Sequence, residues 1–156
     1  MSAKPPTIVD LKWIGDLQFS GTSGNASITL DGAGVAGPSP VQALAFAFAG
    51  CMAMDIAHIL TRGRQPLRGL RAHLVADRAA DDPHRIVRMT LRLVVEGDVP
   101  QDAVERAIAL SRETYCSVWH SMRQDIDLAV SAEISTGGRE GFSPSTGGRE
   151  GFSQGS

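Results

Sequence analysis

The sequence contains two cysteines, Cys51 and Cys116, and their thiols are the side chains best suited to covalent chemistry. Cys51 follows Gly50 in a run of small apolar residues, where a backbone or a small substrate can approach closely. Cys116 follows Tyr115 at a predicted helix start, where free N–H groups and the helix dipole stabilise a thiolate. Because a thiolate can attack a peroxide or a disulfide, either residue could carry redox chemistry.

Spacing alone identifies neither cysteine as reactive. Free cysteine is among the most buried residue types, so Cys51 in an apolar helix could be a small core residue. Cys116 could be a helix-boundary residue packed on the core. The two positions are far apart in the sequence and form no Cys-x-x-Cys motif. The residues by themselves therefore leave their pairing open.

Two polar residues follow Cys51 on the same predicted helix face. Asp55 lies one turn beyond it and His58 two turns beyond it. The His58 imidazole could act as a base, or it could be a hydrogen-bonded surface residue. The Asp55 carboxylate would raise the pKa of a nearby thiol if it were unpaired. It could instead pair with Arg62 or Arg64.

Metal and phosphate motifs are weak in this sequence. A zinc site can be written from Cys51, Cys116, His58 and His120, but these residues lack the ligand spacing of known zinc motifs. The glycines at positions 32, 34 and 37 form no GxGxxG motif, and no Lys-Ser/Thr pair follows them. They predict a loop rather than a phosphate cradle. We therefore expect neither a zinc site nor a phosphate-binding loop.

Composition narrows the class of protein. The chain has 156 residues, of which 42% are hydrophobic, which suits one folded domain. Seventeen acidic residues against fifteen basic ones make nucleic acid an unsuitable main partner. The first ten residues lack a signal peptide's apolar stretch. The most apolar run, residues 41–54, is shorter than the ~20 residues of a membrane-spanning helix. We expect a cytoplasmic protein that is not bound to a membrane, with its thiols reduced.

Alternating apolar and polar residues predict six strands. Three short ones, at residues 7–13, 16–20 and 25–30, should form an antiparallel meander. The strands at residues 70–77 and 86–96 should pair as a hairpin across a turn at 78–85. The last strand is predicted at residues 126–134. Because strands and helices are segregated, the order indicates an α+β fold.

Helical periodicity predicts three helices. An amphipathic helix should begin with a capping box from Asp98 to Gln101 and continue to Tyr115. A short helix over residues 116–123 should follow it. The helix over residues 40–61 differs, because its first four turns are apolar on every side. Such a helix must be buried all round. A second copy of the same helix in a symmetric dimer would cover the side that one sheet cannot reach.

The C-terminal segment is a duplicated unit. STGGREGFS begins at Ser135 and again at Ser145. Its glycine and serine content and its lack of apolar periodicity predict a flexible, solvated tail. We therefore predict a folded domain over residues 1–134 and a tail over residues 135–156.

The contexts of the two cysteines resemble those of the OsmC/Ohr family. GPSPVQALAFAFAGCMAMDI is similar to the family's buried-helix signature, in which a proline, here Pro40, precedes a reactive cysteine, here Cys51. YCSVWHSMRQDIDLAVSAEI is similar to the second signature, in which a cysteine opens a late helix before the final strand; here it is Cys116. The resemblance covers about residues 10–134.

This resemblance implies the fold and the activity. The fold would be α+β, with antiparallel sheets around a long buried central helix, in an intertwined homodimer. The activity would be that of a thiol peroxidase that reduces organic hydroperoxides in oxidative stress defence, without a cofactor. Cys51 would attack the peroxide, Cys116 would resolve the product as a disulfide, and a dithiol would reduce that disulfide.

Two departures from the family pattern concern the thiolate's support. The peroxidase branches have a glutamate directly after the proline, whereas this chain has Val41 and then Gln42. They also have an arginine in the N-terminal region, whereas the cations here are Lys4 and Lys12. The chain resembles a branch that lacks both groups. Gln42 and Asp55 are then the candidate substrate-binding residues.

Two other functions remain open at this stage. The protein could be a non-catalytic dimer of the same fold that binds a small apolar ligand at its interface, with Cys51 serving only in packing. It could also be a structural dimerisation module whose tail contacts a partner.

Overall fold

The structure, a computed structural model, describes residues 2–136. Its elements in chain order are β1 (Asp10–Gly15), β2 (Gln18–Ser23), β3 (Ala26–Asp31), α1 (Pro40–Arg62), β4 (Leu67–Arg78), β5 (Ile86–Gly97), α2 (Gln101–Leu110), a π-helical turn (Ser111–Tyr115), α3 (Ser117–His120) and β6 (Asp127–Ser135). These elements form the predicted α+β fold. The predicted tail lies outside the described residues except for Ser135, which ends β6, and Thr136.

The N-terminal sheet is an antiparallel meander in the order β1-β2-β3, as predicted. The first strand lies two to three residues later than predicted. Gly15 still pairs with Gln18, so the chain reverses at Asp16 and Leu17, and Gly15 and Asp16 have the positive φ angles of this turn. After β3, the buried Asp31 carboxylate accepts hydrogen bonds from the amides of Ala33, Val35 and Ala36. These bonds shape the loop that leads into α1.

The second sheet has the order β4-β5-β6, with β5 at its centre. Strands β4 and β5 form the predicted antiparallel hairpin. Strand β6 pairs parallel to β5, so the expectation of purely antiparallel sheets was wrong here. The chain crosses one face of the sheet through α2 and α3 before it enters β6. A strand reached through such a helical crossover can run in the same direction as its predecessor.

Helix α1 confirms its predicted extent almost to the residue. It begins with a capping box in which the Ser39 hydroxyl accepts from the Gln42 amide and the Gln42 side-chain oxygen accepts from the Ser39 amide. Pro40 occupies the first turn, where its missing N–H costs nothing. The capping box predicted for α2 was wrong, because that helix begins after Pro100 without a side-chain cap.

The core lies between α1 and the second sheet. Every fourth residue of α1 from position 48 is buried, which gives one apolar stripe along the helix. The alternating face of β5 predicted from the sequence packs against this stripe, and α2 and α3 close the side. The buried residues of α1 and β5 in this core are Phe48, Met52, Ile56, Leu60, Met89, Leu91, Leu93 and Val95.

The outer side of α1 is open in the protomer. Phe46 and Met54 are each 73% exposed, although the all-apolar helix was expected to be buried all round. Among the described residues, α1 is the one helix long and apolar enough to cross a membrane, and only 22% of its most apolar window is buried within the protomer. The apolar run at residues 41–54 had been judged too short to span a membrane, but α1 extends beyond that run to Arg62. Buried helices of soluble proteins share this length and composition.

Candidate active site

Cys51 lies in the middle of α1, on a side of the helix that faces α3. It is partly exposed, and its Sγ atom lies 3.9 Å from the Ser117 hydroxyl oxygen at the start of α3. The neighbouring Gly50 faces open space, since a Cβ atom there would meet nothing within 4 Å. A small reactant can therefore approach this part of the helix in the protomer.

Cys116 is fully buried and is the N-cap residue of α3. The helix itself begins at Ser117, one residue later than predicted. The Trp119 amide donates a hydrogen bond to its sulfur, at 3.4 Å. Burial, together with the nearby Cys51 and Asp55, raises the pKa of Cys116 to about 11, although the Trp119 amide acts in the opposite direction. The predicted thiolate stabilisation by the helix start is present but smaller than the cost of burying the charge.

The two thiols and one carboxylate form a compact cluster. The sulfurs of Cys51 and Cys116 and a carboxylate oxygen of Asp55 all lie within 4.8 Å of one another. Helix α1 supplies Cys51 and Asp55 one turn apart, and the start of α3 supplies Cys116. The fold thus brings together the two cysteines whose pairing the residues alone left open.

Asp55 accepts a hydrogen bond of 2.8 Å from the Ser111 hydroxyl, and none of its described hydrogen bonds comes from Arg62 or Arg64. Two thiols and a carboxylate could serve as three ligands of a soft metal ion. This cluster contains neither His58 nor His120, so the four-ligand combination considered from the sequence does not form among the described residues.

The π-helical turn after α2 presents Ser111 to this cluster. The sequence predicted an uninterrupted helix to Tyr115, but α2 ends at Leu110 and the chain widens over the next five residues. Ser111 is fully buried, and its carbonyl accepts the Cys116 amide at 2.8 Å. Such single π-helical turns are frequent at functional sites. Amphipathic spacing does not distinguish this turn from an ordinary helix, which is why Ser111 escaped the sequence analysis.

A cleft of about 560 Å³ opens beside the cluster, between α1 and the end of α2. Asp55 lines it and so joins the cleft to the two sulfurs. His58, the candidate base, is exposed and lies in this cleft rather than in the thiol cluster. The remaining lining residues are Ile59, Arg62, Gly63, Arg106, Leu110 and Tyr115.

Gln42 lies far from the thiols. It precedes Cys51 by nine helical residues, which corresponds to about 14 Å along the axis. Its side-chain oxygen takes part in the cap of α1. It also borders a smaller cleft of about 300 Å³ with Phe46 and Leu74. Its predicted contact with substrate stays a prediction.

Comparisons with known proteins identify the family and the fold. The profile of the family described as "OsmC-like protein" matches residues 31–131. Protein YhfA of Escherichia coli K12 is 34% identical over 127 residues, which cover 80% of this chain and 95% of YhfA. The crystal structure of a hypothetical protein from Aquifex aeolicus superposes with a TM-score of 0.79 at 26% identity, over 85% of this chain and 98% of that one.

A further crystal structure, titled an organic hydroperoxide resistance protein OsmC from Legionella pneumophila, superposes with a TM-score of 0.61. It is 18% identical and matches 85% of this chain and 100% of its own. At that identity the likeness supports the shared fold alone. Two three-stranded sheets with helices are thus common to this chain and to its structural neighbours.

Proposed function

The chain belongs to the OsmC-like protein family, and from that premise we propose that it is a cysteine-based peroxidase that reduces organic hydroperoxides. The observation that carries the proposal is the approach of the Cys51 and Cys116 sulfurs to within 4.8 Å. Their unequal burial supports different roles. The partly exposed Cys51 can meet a peroxide first, whereas the buried Cys116, whose pKa is raised to about 11, remains a neutral thiol at pH 7.

The cycle has three steps. The Cys51 thiolate attacks one oxygen of the hydroperoxide, the O–O bond breaks, and the alkoxide takes up a proton to leave as an alcohol. Cys51 is then a sulfenic acid. The Cys116 sulfur loses its proton and attacks the Cys51 sulfur, and hydroxide combines with that proton and leaves as water. A dithiol finally reduces the disulfide and becomes oxidised itself.

Asp55 influences the buried thiol of the cluster. Its negative charge disfavours the Cys116 thiolate, and the hydrogen bond from Ser111 holds the carboxylate in place beside the sulfurs. Asp55 lies in the same cluster, where its carboxylate can relay the proton that Cys116 loses to the leaving hydroxide. We therefore assign Asp55 to proton transfer at the thiol pair in addition to its predicted contact with substrate.

Titration of free thiols tests the proposal directly. Reduced protein should lose both thiols per chain after one equivalent of cumene hydroperoxide, because the first oxidation leads to an intramolecular disulfide. A protein that only binds ligands would keep both thiols under the same treatment.

We also propose that the protein acts as an intertwined homodimer. Phe46 and Met54 on the outer side of α1 are largely exposed, as are Leu11 and Trp13 of the N-terminal sheet. The open space at Gly50 would let a second helix approach closely. A second copy of the chain would bury these apolar surfaces. We further propose a cytoplasmic location, because a reducing compartment supplies the dithiol that the cycle needs.

Sedimentation should therefore give twice the chain mass at micromolar concentration. Phe46→Glu should shift the protein toward a monomer, because it places a charge in the proposed interface. Val35→Glu is the matched control, since Val35 is an exposed apolar residue (85%) of the loop before α1 and not of the helix itself. A folded wild-type monomer at this concentration would refute the dimer.

One observation favours the alternative function, binding of a small apolar ligand. The cleft of about 300 Å³ on the outer side of α1 is bordered mainly by apolar residues, among them Ala45, Phe46, Ala49 and Leu74. In the dimer it would lie at the edge of the interface. Loss of both thiols to hydroperoxide would favour the peroxidase, whereas retention of both thiols together with binding of an apolar dye would favour this alternative.

A further inference from the structure

The cleft beside the thiol cluster continues a single stripe of α1. Cys51, Asp55, His58 and Arg62 follow one another at helical spacing, so their side chains lie along one side of the helix. Asp55, His58 and Arg62 line the cleft, and α2 contributes Arg106 from the opposite side. The cleft therefore runs from Asp55, which belongs to the thiol cluster, toward the C-terminal end of α1.

This cleft has an excess of positive charge. Within residues 2–136, neither Arg62 nor Arg106 forms an ion pair or a side-chain hydrogen bond. The single acidic residue of the lining, Asp55, is held by Ser111. Arginine's planar fork of donors matches carboxylate and phosphate oxygens. Two arginines without a partner in one cleft are thus suited to an anion.

We propose that the cleft binds the anionic head, a carboxylate or a phosphate, of a small electrophile whose reactive end reaches Cys51. The inference rests on the proposed function and adds to it a preference for anionic substrates over neutral ones such as cumene hydroperoxide. Arg62 lies eleven positions after Cys51, about 16 Å along the axis, and helical side chains lean back toward the N-terminus. The ligand therefore needs an extended body between its head and its reactive group. Ile59 and Leu110 offer apolar contacts to that body.

A pair of alkylating probes tests this inference without any peroxide. The probes are 6-maleimidohexanoic acid and its methyl ester, which differ in charge and little in reactivity. In both, the thiolate sulfur adds to the C=C bond and the adjacent carbon takes up a proton. The second-order rate constants are measured for wild type, for the Arg62→Gln/Arg106→Gln double variant, and for Arg112→Gln. Arg112 is an exposed arginine of the π-helical turn that does not line the cleft.

The acid-to-ester rate ratio should fall about tenfold in the double variant, the equivalent of one charge-assisted hydrogen bond. It should change by less than about twofold in Arg112→Gln, where only screened long-range charge is lost. The ester rate is the internal control for folding and should be unchanged. Peptide mapping should locate the label on Cys51, and Cys51→Ser should remain unlabelled. Equal ratios in the three proteins would overturn the inference.

Competition identifies the head group. Inorganic phosphate or acetate should slow the acid and not the ester in wild type, and the stronger competitor indicates which oxygen acid the cleft prefers. If neither anion slows the acid, the site does not bind anions. Oxidation by cumene hydroperoxide is followed in the same samples. Oxidation by the hydroperoxide without a faster reaction of the acid would support the proposed function and exclude anion binding in the cleft. A faster reaction of the acid without oxidation by the hydroperoxide would support anion binding and exclude the peroxidase.

Discussion

Replacing Cys51 by serine should reduce the rate of oxidation by an organic hydroperoxide by at least about a hundredfold, because a serine hydroxyl is not ionised at neutral pH. The reaction can be followed by stopped-flow fluorescence, since the backbone amide of Trp119 donates a hydrogen bond to the Cys116 sulfur and its side chain is buried. Cys116→Ser is the matched control. It should keep the first oxidation, which takes place on Cys51, and lose only disulfide formation.

The wild-type rate should be lower than in the peroxidase branches of the family. Val41 and Gln42 replace the glutamate, and Asp55 introduces a negative charge beside the thiols. Arg62, a candidate for cationic support, lines the adjoining cleft but lies about 16 Å from Cys51 along the helix axis. Rapid oxidation at neutral pH that is lost only in Cys51→Ser would mean that the Cys51 thiolate is better stabilised than its position beside Asp55 implies. Equally slow oxidation of wild type and Cys51→Ser would exclude the peroxidase.

Phe48→Ala should lower the free energy of unfolding by about 3–5 kcal/mol, the usual cost of removing a buried aromatic side chain. Phe48 is fully buried, and its ring meets that of Trp119 edge to face, with centroids 5.9 Å apart. This contact joins α1 to α3 and so helps to hold Cys51 near Cys116. The loss of stability should therefore be accompanied by slower disulfide formation.

Phe46→Ala is the matched control for this prediction. Phe46 lies two residues away on the same helix but is exposed in the protomer, so its truncation should act on the dimer. In urea titrations, the loss of stability caused by Phe46→Ala should then depend on protein concentration more strongly than the loss caused by Phe48→Ala. A Phe48→Ala protein as stable as wild type would show that α3 is not held by this packing.

Local patterns predicted the elements better than their connections. The alternation in β5 predicted its buried face, because a strand with one wet face must repeat every second residue. The apolar run after Pro40 predicted α1. The parallel pairing of β6 with β5 left no mark on either strand, since it depends on the path of the helical crossover. The cap of α2 was mispredicted because Asp98 and Gln101 have the residue types and the spacing of a capping box, but the helix begins two residues after the position that Asp98 would need to cap it.

The candidate site was predicted only in part, because local patterns do not record contacts between distant segments of the chain. The resemblance of two cysteine contexts to a known family brought Cys51 and Cys116 together, whereas their spacing could not. Asp55 was predicted to be near Cys51 from helical periodicity, which holds within one element. Its partner Ser111 and the cleft residue Arg106 come from distant segments of the chain. Such contacts between elements depend on packing, and no local pattern records them.

The most direct test of the proposed redox pair is mass spectrometry of protein treated with one equivalent of cumene hydroperoxide and digested without reduction. We predict a single peptide pair joined by a Cys51–Cys116 disulfide within one chain, with no free thiol and no product oxidised beyond the sulfenic acid. Oxidation that accumulates on Cys51 as sulfinic acid while Cys116 stays a free thiol would contradict the account, because the buried cysteine would then not resolve the oxidised one.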